Sequence, residues 1–432
     1  MKKKYLSTIC SALIWGSGQL INKQPVKAVI FFLVQAITLL NFKTFAHGIW
    51  GIVTLGEKAM VIKGNKVTPG DNSVILMIQG IIILLVLAII LLIYIWNVRD
   101  AYKTAVLEEK GGKIPTSLEY LKLLWSNAFE YIMITPALIF IVFLTLMPIF
   151  FGFLIAFTNY ASPKHLPPRH LIDWVGLYNF KQLFRSPIWG STFSGVFLWT
   201  VIWAVLSTVT CFFGGLFQAV IVNSKRVKIK KLWRTIYILP WAIPGMISLL
   251  VFRNLFNGQF GPINAALKSF GLIDHNIPWL SDPMVAKLTI LIVNVWLGFP
   301  YFMALMTGIM TGISKELYEA AQIDGATPVD EFRHITFPLV LYSTMPLLIM
   351  SFAGNFNNFT VIYFLTEGGP ANPKYQFAGS TDILITWIYK ITMDNKQYAM
   401  ASVMSMIIFM IIGTLSAYNF SRTKAFKEED MM

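Results

Sequence analysis

Residues 72–98 read NSVILMIQGIIILLVLAIILLIYIWNV, a run of 27 residues without one charged side chain. A helix that crosses a bilayer needs about 20 consecutive apolar residues, so this run is long enough to span. The whole chain of 432 residues has the same character, because 56% of it is hydrophobic and only 13% is charged. A soluble protein carries about twice that share of charge. The sequence therefore predicts an all-α, polytopic membrane protein.

Eight such runs occur along the chain, and two of them need a flanking Lys or Arg side chain to reach the membrane surface. They lie at 28–42, 72–98, 131–163, 186–224, 235–252, 288–314, 335–366 and 397–421. We therefore predict eight transmembrane helices.

Basic residues predict how these helices are oriented. Loops on the side that holds both termini carry 21 of the 35 Lys and Arg residues, with the densest cluster at 225–231. Because cytoplasmic loops are enriched in Lys and Arg, both termini are expected in the cytoplasm. The same rule explains the net charge of +14, so we expect no nucleic-acid partner.

Another charge-free stretch, Tyr5–Asn22, contains Gly16, Ser17, Gly18 and Gln19. If it crossed the bilayer, the basic cluster at 225–231 would lie outside, so an interfacial or re-entrant segment is the better interpretation. A cleaved signal peptide is disfavoured because the glycines and serine make a poor cleavage site. We divide the chain into an N-terminal region, 1–125, with this segment and spans 1–2, and a core, 126–432, with spans 3–8.

Several kinds of chemistry find no support in the sequence. The nearest approach to a phosphate loop, at 111–114, lacks the first glycine and the Ser or Thr that such loops require. The five histidines and the cysteines Cys10 and Cys211 show no metal-ligand spacing. Spans without buried carboxylates also disfavour a proton- or sodium-coupled carrier. We therefore expect no catalytic residue, metal or cofactor in this chain.

The loop 314–338 carries clear local signals for two helices joined by a turn. Ser314 is suited to cap the first helix, and Gly325 to end it in a left-handed conformation. Thr327 is placed to cap the second helix, with Pro328 at its first position and Asp330 near the capping-box position. An ordinary capped connector would show the same signals, so local physics leaves a special role open.

The same loop resembles the EAA loop of ABC-importer permeases. Its Glu-Ala-Ala at 319–321 is followed by Gly325, Ile335 and Pro338, and only Phe337 departs from the family pattern, replacing Leu. The resemblance implies the type I permease fold and a coupling helix that docks on a separate ATPase carrying Mg-ATP. The residues that it assigns to ATPase coupling are Glu319, Ala320, Ala321, Asp324 and Gly325.

Two span segments, 294–301 and 351–359, have unusual polar content for a membrane helix. The second places three Asn within four positions, among Phe residues. Amides pair with sugar hydroxyls and aromatic rings cover the apolar face of a sugar, so this pattern is suited to a carbohydrate. The alternative is that the amides join helices and the aromatic residues face lipid.

Both segments, and the chain from about span 3 to its end, resemble the MalF-type permease of maltose and maltodextrin importers. In that family the sugar lies in a cavity at the membrane midplane. Matched position by position, the substrate-binding residues are Asn294, Leu297, Gly298, Tyr301, Ser351, Asn355 and Asn358, and Gly354 occupies a further position of the sugar site.

Two departures from the family modify these expectations. Gly354 stands where maltose importers place an aromatic ring against the sugar, which suggests a preference for longer maltodextrins. The outer loop 159–192 is too short for the folded domain that some relatives insert there.

The resemblance implies one transmembrane subunit of an ATP-driven importer of maltodextrin or maltose in a bacterial cell membrane. Its partners would be a second, MalG-type permease, an ABC ATPase dimer, an extracytoplasmic sugar-binding protein and the lipid bilayer. The same architecture carrying a different oligosaccharide is the alternative. A structural scaffold is disfavoured because it would need neither the EAA loop nor the Asn segments.

Overall fold

A computed structural model describes residues 2–63, 66–112, 114, 119, 125–126, 128–224 and 226–422. The chain forms two compact units, Met1–Leu177 and Tyr178–Met432. The domain division predicted at 125/126 stays a prediction. Lys225 of the basic cluster and the tail beyond Arg422 lie outside the described residues.

The first unit consists of helices and one small hairpin. Its helices are α1 (Lys3–Leu13), α2 (Ser17–Ile21), α3 (Pro25–Leu40), α4 (Phe42–Thr54), α5 (Ser73–Glu109) and α6 (Phe129–Ile155). Two short antiparallel strands, β1 (Val61–Lys63) and β2 (Lys66–Thr68), join α4 to α5. The fold is therefore mostly helical, and the all-α prediction is wrong for this hairpin, whose β-branched Val, Ile and Thr residues favour strand pairing.

The second unit consists of helices joined by loops in its described residues. Its helices are α7 (Tyr178–Arg185), α8 (Pro187–Asn223), α9 (Lys230–Ala242), α10 (Gly245–Leu255), α11 (Pro262–Ser269), α12 (Pro283–Gly312), α13 (Lys315–Ile323), α14 (Pro328–Phe356), α15 (Phe359–Thr366), α16 (Leu384–Met393) and α17 (Tyr398–Arg422).

All eight predicted spans coincide with helices. Among the described residues, five helices are long and apolar enough to cross a membrane: α5, α6, α8, α12 and α14. Two bent pairs raise the number to as many as seven, namely α3–α4, bent by 56°, and α9–α10, bent by 89°. The eighth run falls on α17, of which 398–414 forms a shorter apolar helix. The chain is therefore a multi-pass membrane protein.

The predicted re-entrant segment folds as a helical hairpin. Helix α1 packs along the C-terminal end of α5. The chain then turns at Gly16, whose φ of +87° is in the left-handed region. A side chain at Gly16 would collide with the backbone of Ala28, so glycine is required here. Tyr5–Asn22 is thus two short helices and not one spanning helix.

Helix α8 is the centre of the second unit. It packs along α12 and α14, and its Trp203 is fully buried. Two apolar clusters surround it, one at the level of Trp199 and Trp203 and the other at the level of Cys211 and Phe212. The polar segments of α12 and α14 are therefore both held against the same helix.

A buried ion pair holds the loop that precedes α16. The Lys390 ammonium lies 2.6 Å from the Asp382 carboxylate, whose side chain is fully buried. The Gly379 N–H and the Thr386 hydroxyl also donate to Asp382. Burial raises the pKa of the Asp382 carboxyl, and the Lys390 ammonium acts in the opposite direction. This loop depends on keeping both partners of the pair.

Candidate functional site

The first predicted sugar segment lies on α12, and part of it is used for packing. Asn294 is only 6% exposed, and its amide donates to the Cys211 Sγ at 3.5 Å. Gly298 faces the same sulfur, and a Cβ at position 298 would lie 2.5 Å from it. Asn294 and Gly298 therefore let α12 approach α8 closely.

The other end of this segment carries an aromatic platform. The Trp241 indole N–H donates to the Leu297 carbonyl at 3.1 Å, and the Trp241 ring stacks on Tyr301 with centroids 5.8 Å apart and planes 19° apart. Trp241 is 53% exposed and Tyr301 38%. These two rings offer an open apolar surface beside a backbone that carries hydrogen-bonding groups.

The second predicted segment lies at the end of α14. The Asn355 amide donates to the Thr208 hydroxyl at 3.1 Å, and the Asn355 carbonyl accepts from the Trp203 indole at 3.0 Å. Both partners lie on α8, so Asn355 attaches the end of α14 to that helix.

The helix is interrupted directly after Asn355. Helix α14 ends at Phe356, and Asn358 caps α15 by accepting from the Val361 N–H at 3.3 Å. Asn358 thereby supplies a polar partner for one of the backbone N–H groups that a helix break leaves open. The break at 357–358 is therefore stabilised by the sequence itself.

Gly354 of the second segment faces open space. Ser351 is half-buried and Gly354 exposed, and no described atom lies within 4 Å of a Cβ built on Gly354. A separate apolar cavity of about 290 Å³ lies between α14 and α17, lined by residues such as Ile349 and Phe352. None of the predicted sugar residues lines that cavity.

The two segments meet at adjacent turns of α8. Thr208, the partner of Asn355, precedes Cys211, the partner of Asn294, by three residues. Residues three apart on a helix lie on the same face, about 5–6 Å apart. The structure therefore brings together the two segments that the sequence singles out.

The predicted coupling loop has the expected local structure. Ser314 caps α13 by accepting from the Glu316 N–H, and Gly325 has a φ of +82°. Thr327 and Asp330 form a reciprocal capping box at the start of α14, with Pro328 in its first turn. The Tyr318 and Thr336 hydroxyls lie 2.9 Å apart and join the two helices. These local predictions are confirmed.

The predicted coupling residues lie on the outside of this loop. Glu319, Ala320, Asp324 and Gly325 are exposed, and Ala321 is half-buried. Ile323 is 87% exposed and Val329 71%, so apolar side chains also point away from the unit. The loop presents a small apolar surface beside a carboxylate.

Sequence reasoning missed three residues at this site, Trp241, Thr208 and Cys211. A signal for Trp241 was present, because it lies between Pro240 and Pro244 at the point where the fifth span bends. Nothing in the sequence marked Thr208 or Cys211, whose neighbours are set by helix packing. Within the described part of the chain, no group of three or more His, Cys, Asp or Glu residues is placed to hold a metal ion.

Comparison with known proteins places this architecture in a family. Residues 211–424 match the family described as binding-protein-dependent transport system inner membrane component. The galactooligosaccharides transport system permease GanP of Bacillus subtilis is 39% identical over 97% of both chains. The maltodextrin transport system permease MdxF of the same organism is 37% identical over 98% of this chain and 96% of its own.

A solved structure shares the fold. A chain of a bacterial ABC transporter involved in the import of the polysaccharide alginate superimposes with a TM-score of 0.57 at 22% identity, over 71% of this chain and 99% of that one. The resemblance to sugar-importer permeases is thus confirmed. The chain belongs to the family of binding-protein-dependent transport system inner membrane components, the permease subunits of ABC importers.

Proposed function

We propose that this chain is one transmembrane subunit of an ATP-driven importer of maltodextrin or maltose-type oligosaccharides in a bacterial cell membrane. One observation carries the proposal: the two Asn–aromatic segments converge on adjacent turns of α8, and the EAA loop joins the helices that bear them. Eight spans with both termini in the cytoplasm complete the proposed topology.

The chemistry of the converging segments is suited to a sugar. The Trp241 and Tyr301 rings provide an apolar surface of the kind that covers a sugar face. On the second segment Ser351, Asn355 and Asn358 supply polar groups, and the space beside Gly354 is open. We propose that Trp241 joins the predicted set of Asn294, Leu297, Gly298, Tyr301, Ser351, Gly354, Asn355 and Asn358 in the sugar cavity.

The coupling loop is proposed to receive the movement of an ABC ATPase dimer that binds Mg-ATP. The exposed apolar Ile323 and Val329 beside Glu319 are suited to dock in a cleft on such a partner. A second, MalG-type permease would supply the other half of the pore, and an extracytoplasmic binding protein would deliver the sugar.

Helix continuity explains how a push on the loop would reach the sugar. From Tyr301 to the end of α12 at Gly312 is about 17 Å of helix, and from Thr336 to Ser351 along α14 is about 22 Å. Both helices begin or end at the EAA loop. A displacement of that loop therefore moves both sugar segments together, while the bend between α9 and α10 and the break at 357–358 are places where spans can flex.

Import of galactooligosaccharides is the second candidate. It is favoured by the 39% identity with GanP over 97% of this chain, which is as high as the similarity to the maltodextrin permeases. Asn–aromatic surfaces bind hydroxyls and ring faces that glucose and galactose share, so the cavity chemistry alone does not separate the two.

The test is sugar-stimulated ATPase activity of the full complex in proteoliposomes, with binding protein present. We expect stimulation by maltotriose, whereas stimulation by a galactooligosaccharide alone would support the second candidate. Glu319→Lys should abolish stimulation, while Glu316→Lys, an exposed change on the same helix, should retain most of it. Equal loss in both variants would contradict the specific coupling role of Glu319.

A further inference from the structure

The N-terminal hairpin has its polar side turned toward the protein and its apolar side turned outward. On α1 the buried residues are Ser7 and Ser11, both fully covered. On the other face Leu6, Ile9 and Leu13 are exposed, Leu13 by 73%. A surface helix of a water-soluble protein has the opposite arrangement, with its apolar face toward the protein core and its polar face toward water.

A network of polar side chains covers the buried face. The Asn97 amide of α5 donates to the Ser11 carbonyl at 2.9 Å and accepts from the Gly16 N–H at 3.1 Å. The Gln19 amide donates to the Asn97 carbonyl at 2.9 Å. The Gln19 amide also donates to Asp100 at 3.2 Å, and Asp100 in turn pairs with Lys27 of α3 at 2.8 Å, with the Lys27 and Asp100 side chains largely buried. The hairpin is thus fixed to α5 by hydrogen bonds that are kept away from water.

Helix α5 shows how deep the hairpin lies. The Trp15 ring packs on Tyr94 with centroids 5.2 Å apart, and the Tyr94 hydroxyl donates to the Ala12 carbonyl. Tyr94 precedes Arg99, the first charge after the apolar run, by five residues, which is about 7–8 Å of helix. The base of the hairpin lies beyond the run, because Lys3 and Lys4 pair with Glu108 and Glu109.

We propose that α1 and α2 form a re-entrant hairpin whose tip, at Leu13 and Ile14, is inserted among the acyl chains of the cytoplasmic leaflet. Both tip residues are exposed, and they lie between Ala12 and Trp15, which contact Tyr94 within the apolar run. Burying them in lipid is favourable because it removes apolar surface from water. The proposal rests on the cytoplasmic N-terminus of the proposed topology.

Charge and aromatic content favour lipid as the occupant. Residues 1–56 contain no Asp or Glu and six Lys, so the hairpin and the helices after it attract anionic headgroups. Tyr5 and Trp15 are the residue types that lie at the membrane surface. The acidic partners recorded for the hairpin come from α5, at Asp100, Glu108 and Glu109.

The experiment measures where the tip lies by spin labelling. Leu13→Cys and, separately, Ile14→Cys are labelled with a nitroxide in a Cys10→Ala background that keeps the buried Cys211, and the full importer complex is placed in phosphatidylcholine–phosphatidylglycerol vesicles. Collision rates with oxygen, which concentrates in lipid, and with a water-soluble nickel chelate are compared. Leu84→Cys, exposed within the apolar run, is the lipid reference, and Lys2→Cys is the water reference.

We expect both tip labels to match Leu84, with the oxygen rate exceeding the nickel rate several-fold, and Lys2 to show the opposite ratio. A higher collision rate with the nickel chelate than with oxygen at the tip labels would overturn the proposal. Low collision rates with both reagents would also overturn it, because a protein partner would then cover the tip. Sidedness is tested separately with an impermeant thiol reagent on Lys2→Cys. Labelling from the outside would contradict the proposed topology itself, whatever the depth of the tip.

Discussion

The Asn–aromatic segments of α12 and α14 are alike in composition and differ in how the structure uses them. On α12, Asn294 and Gly298 are pressed against Cys211, so amide and glycine serve close packing. On α14, the helix breaks after Asn355, and Gly354 faces open space. The α12 segment is therefore packed tightly against a neighbouring helix, whereas the α14 segment lies at an accessible helix break.

The difference teaches that residue type alone does not identify a ligand contact. A glycine in a membrane helix serves either to admit a neighbouring helix or to leave room for something else. Gly298 does the first and Gly354 is placed to do the second. Four predictions separate these uses, in order of decreasing expected effect.

The largest effect is expected from adding one methyl group to each glycine. Gly298→Ala forces a Cβ against the Cys211 sulfur and should destabilise the permease by about 1–3 kcal/mol. Gly354→Ala meets no described atom and should be neutral or stabilising by up to about 1 kcal/mol. Thermal unfolding of the purified complex measures both. Adding Cys211→Ala should restore the stability that Gly298→Ala loses. If the double variant stays as unstable as Gly298→Ala alone, the sulfur is not the obstacle.

The next effect concerns the aromatic platform on the α12 side. Trp241→Ala removes the ring that stacks on Tyr301. The apparent affinity for sugar, measured from the stimulation of ATPase activity, should fall about tenfold, which corresponds to about 1.4 kcal/mol. Trp241→Phe keeps a ring but loses the hydrogen bond to Leu297, so its apparent affinity for sugar should lie between those of the wild type and the Ala variant. Unchanged affinity in the Ala variant would remove Trp241 from the sugar cavity.

A smaller effect tests whether Asn358 caps a helix or binds sugar. Asn358→Ala removes the cap of α15 and should cost about 1 kcal/mol of stability. Asn358→Ser keeps a capping oxygen, so its unfolding temperature should stay close to that of the wild type. If the Ser variant is stable but takes up sugar poorly, the amide contacts sugar. Normal uptake by the Ser variant would assign Asn358 to capping alone.

The smallest effect is a change of preference at the open end of α14. Gly354→Phe should fill the space beside the glycine and shift uptake a few-fold from maltotetraose toward maltose, because the added ring covers about one sugar face. Uptake of the two sugars by the same vesicles gives the ratio. A ratio equal to that of the wild type would show that position 354 does not select sugar length.

Much of this architecture could be predicted from the sequence because lipid imposes simple rules. The charge-free runs predicted the position of every helix that is long and apolar enough to cross a membrane. Ser314, Gly325 and Thr327 predicted the helix caps of the EAA loop. These signals are local, so one chain is enough to find them. The hairpin β1–β2 was missed because three-residue strands leave almost no periodic pattern.

The contacts that shape the site could not be predicted in the same way. That Asn294 faces Cys211, or that Trp241 stacks on Tyr301, depends on how helices far apart in the chain cross each other. The bend of 89° between α9 and α10 brings Trp241 to α12, and the prolines indicate a break but not its direction. Packing of distant helices was the missing information.

The partners of the N-terminal hairpin lie far along the chain, and this has a consequence for biosynthesis. Ser11 and Gln19 leave the ribosome before their partners Asn97 and Asp100, which follow about 80 residues later. At about 5–20 residues per second, the hairpin waits roughly 4–16 s before its polar face can bind α5. Insertion of the first span and docking of the hairpin are therefore separate steps in time, and the nascent chain must shield the serines and glutamine until α5 arrives.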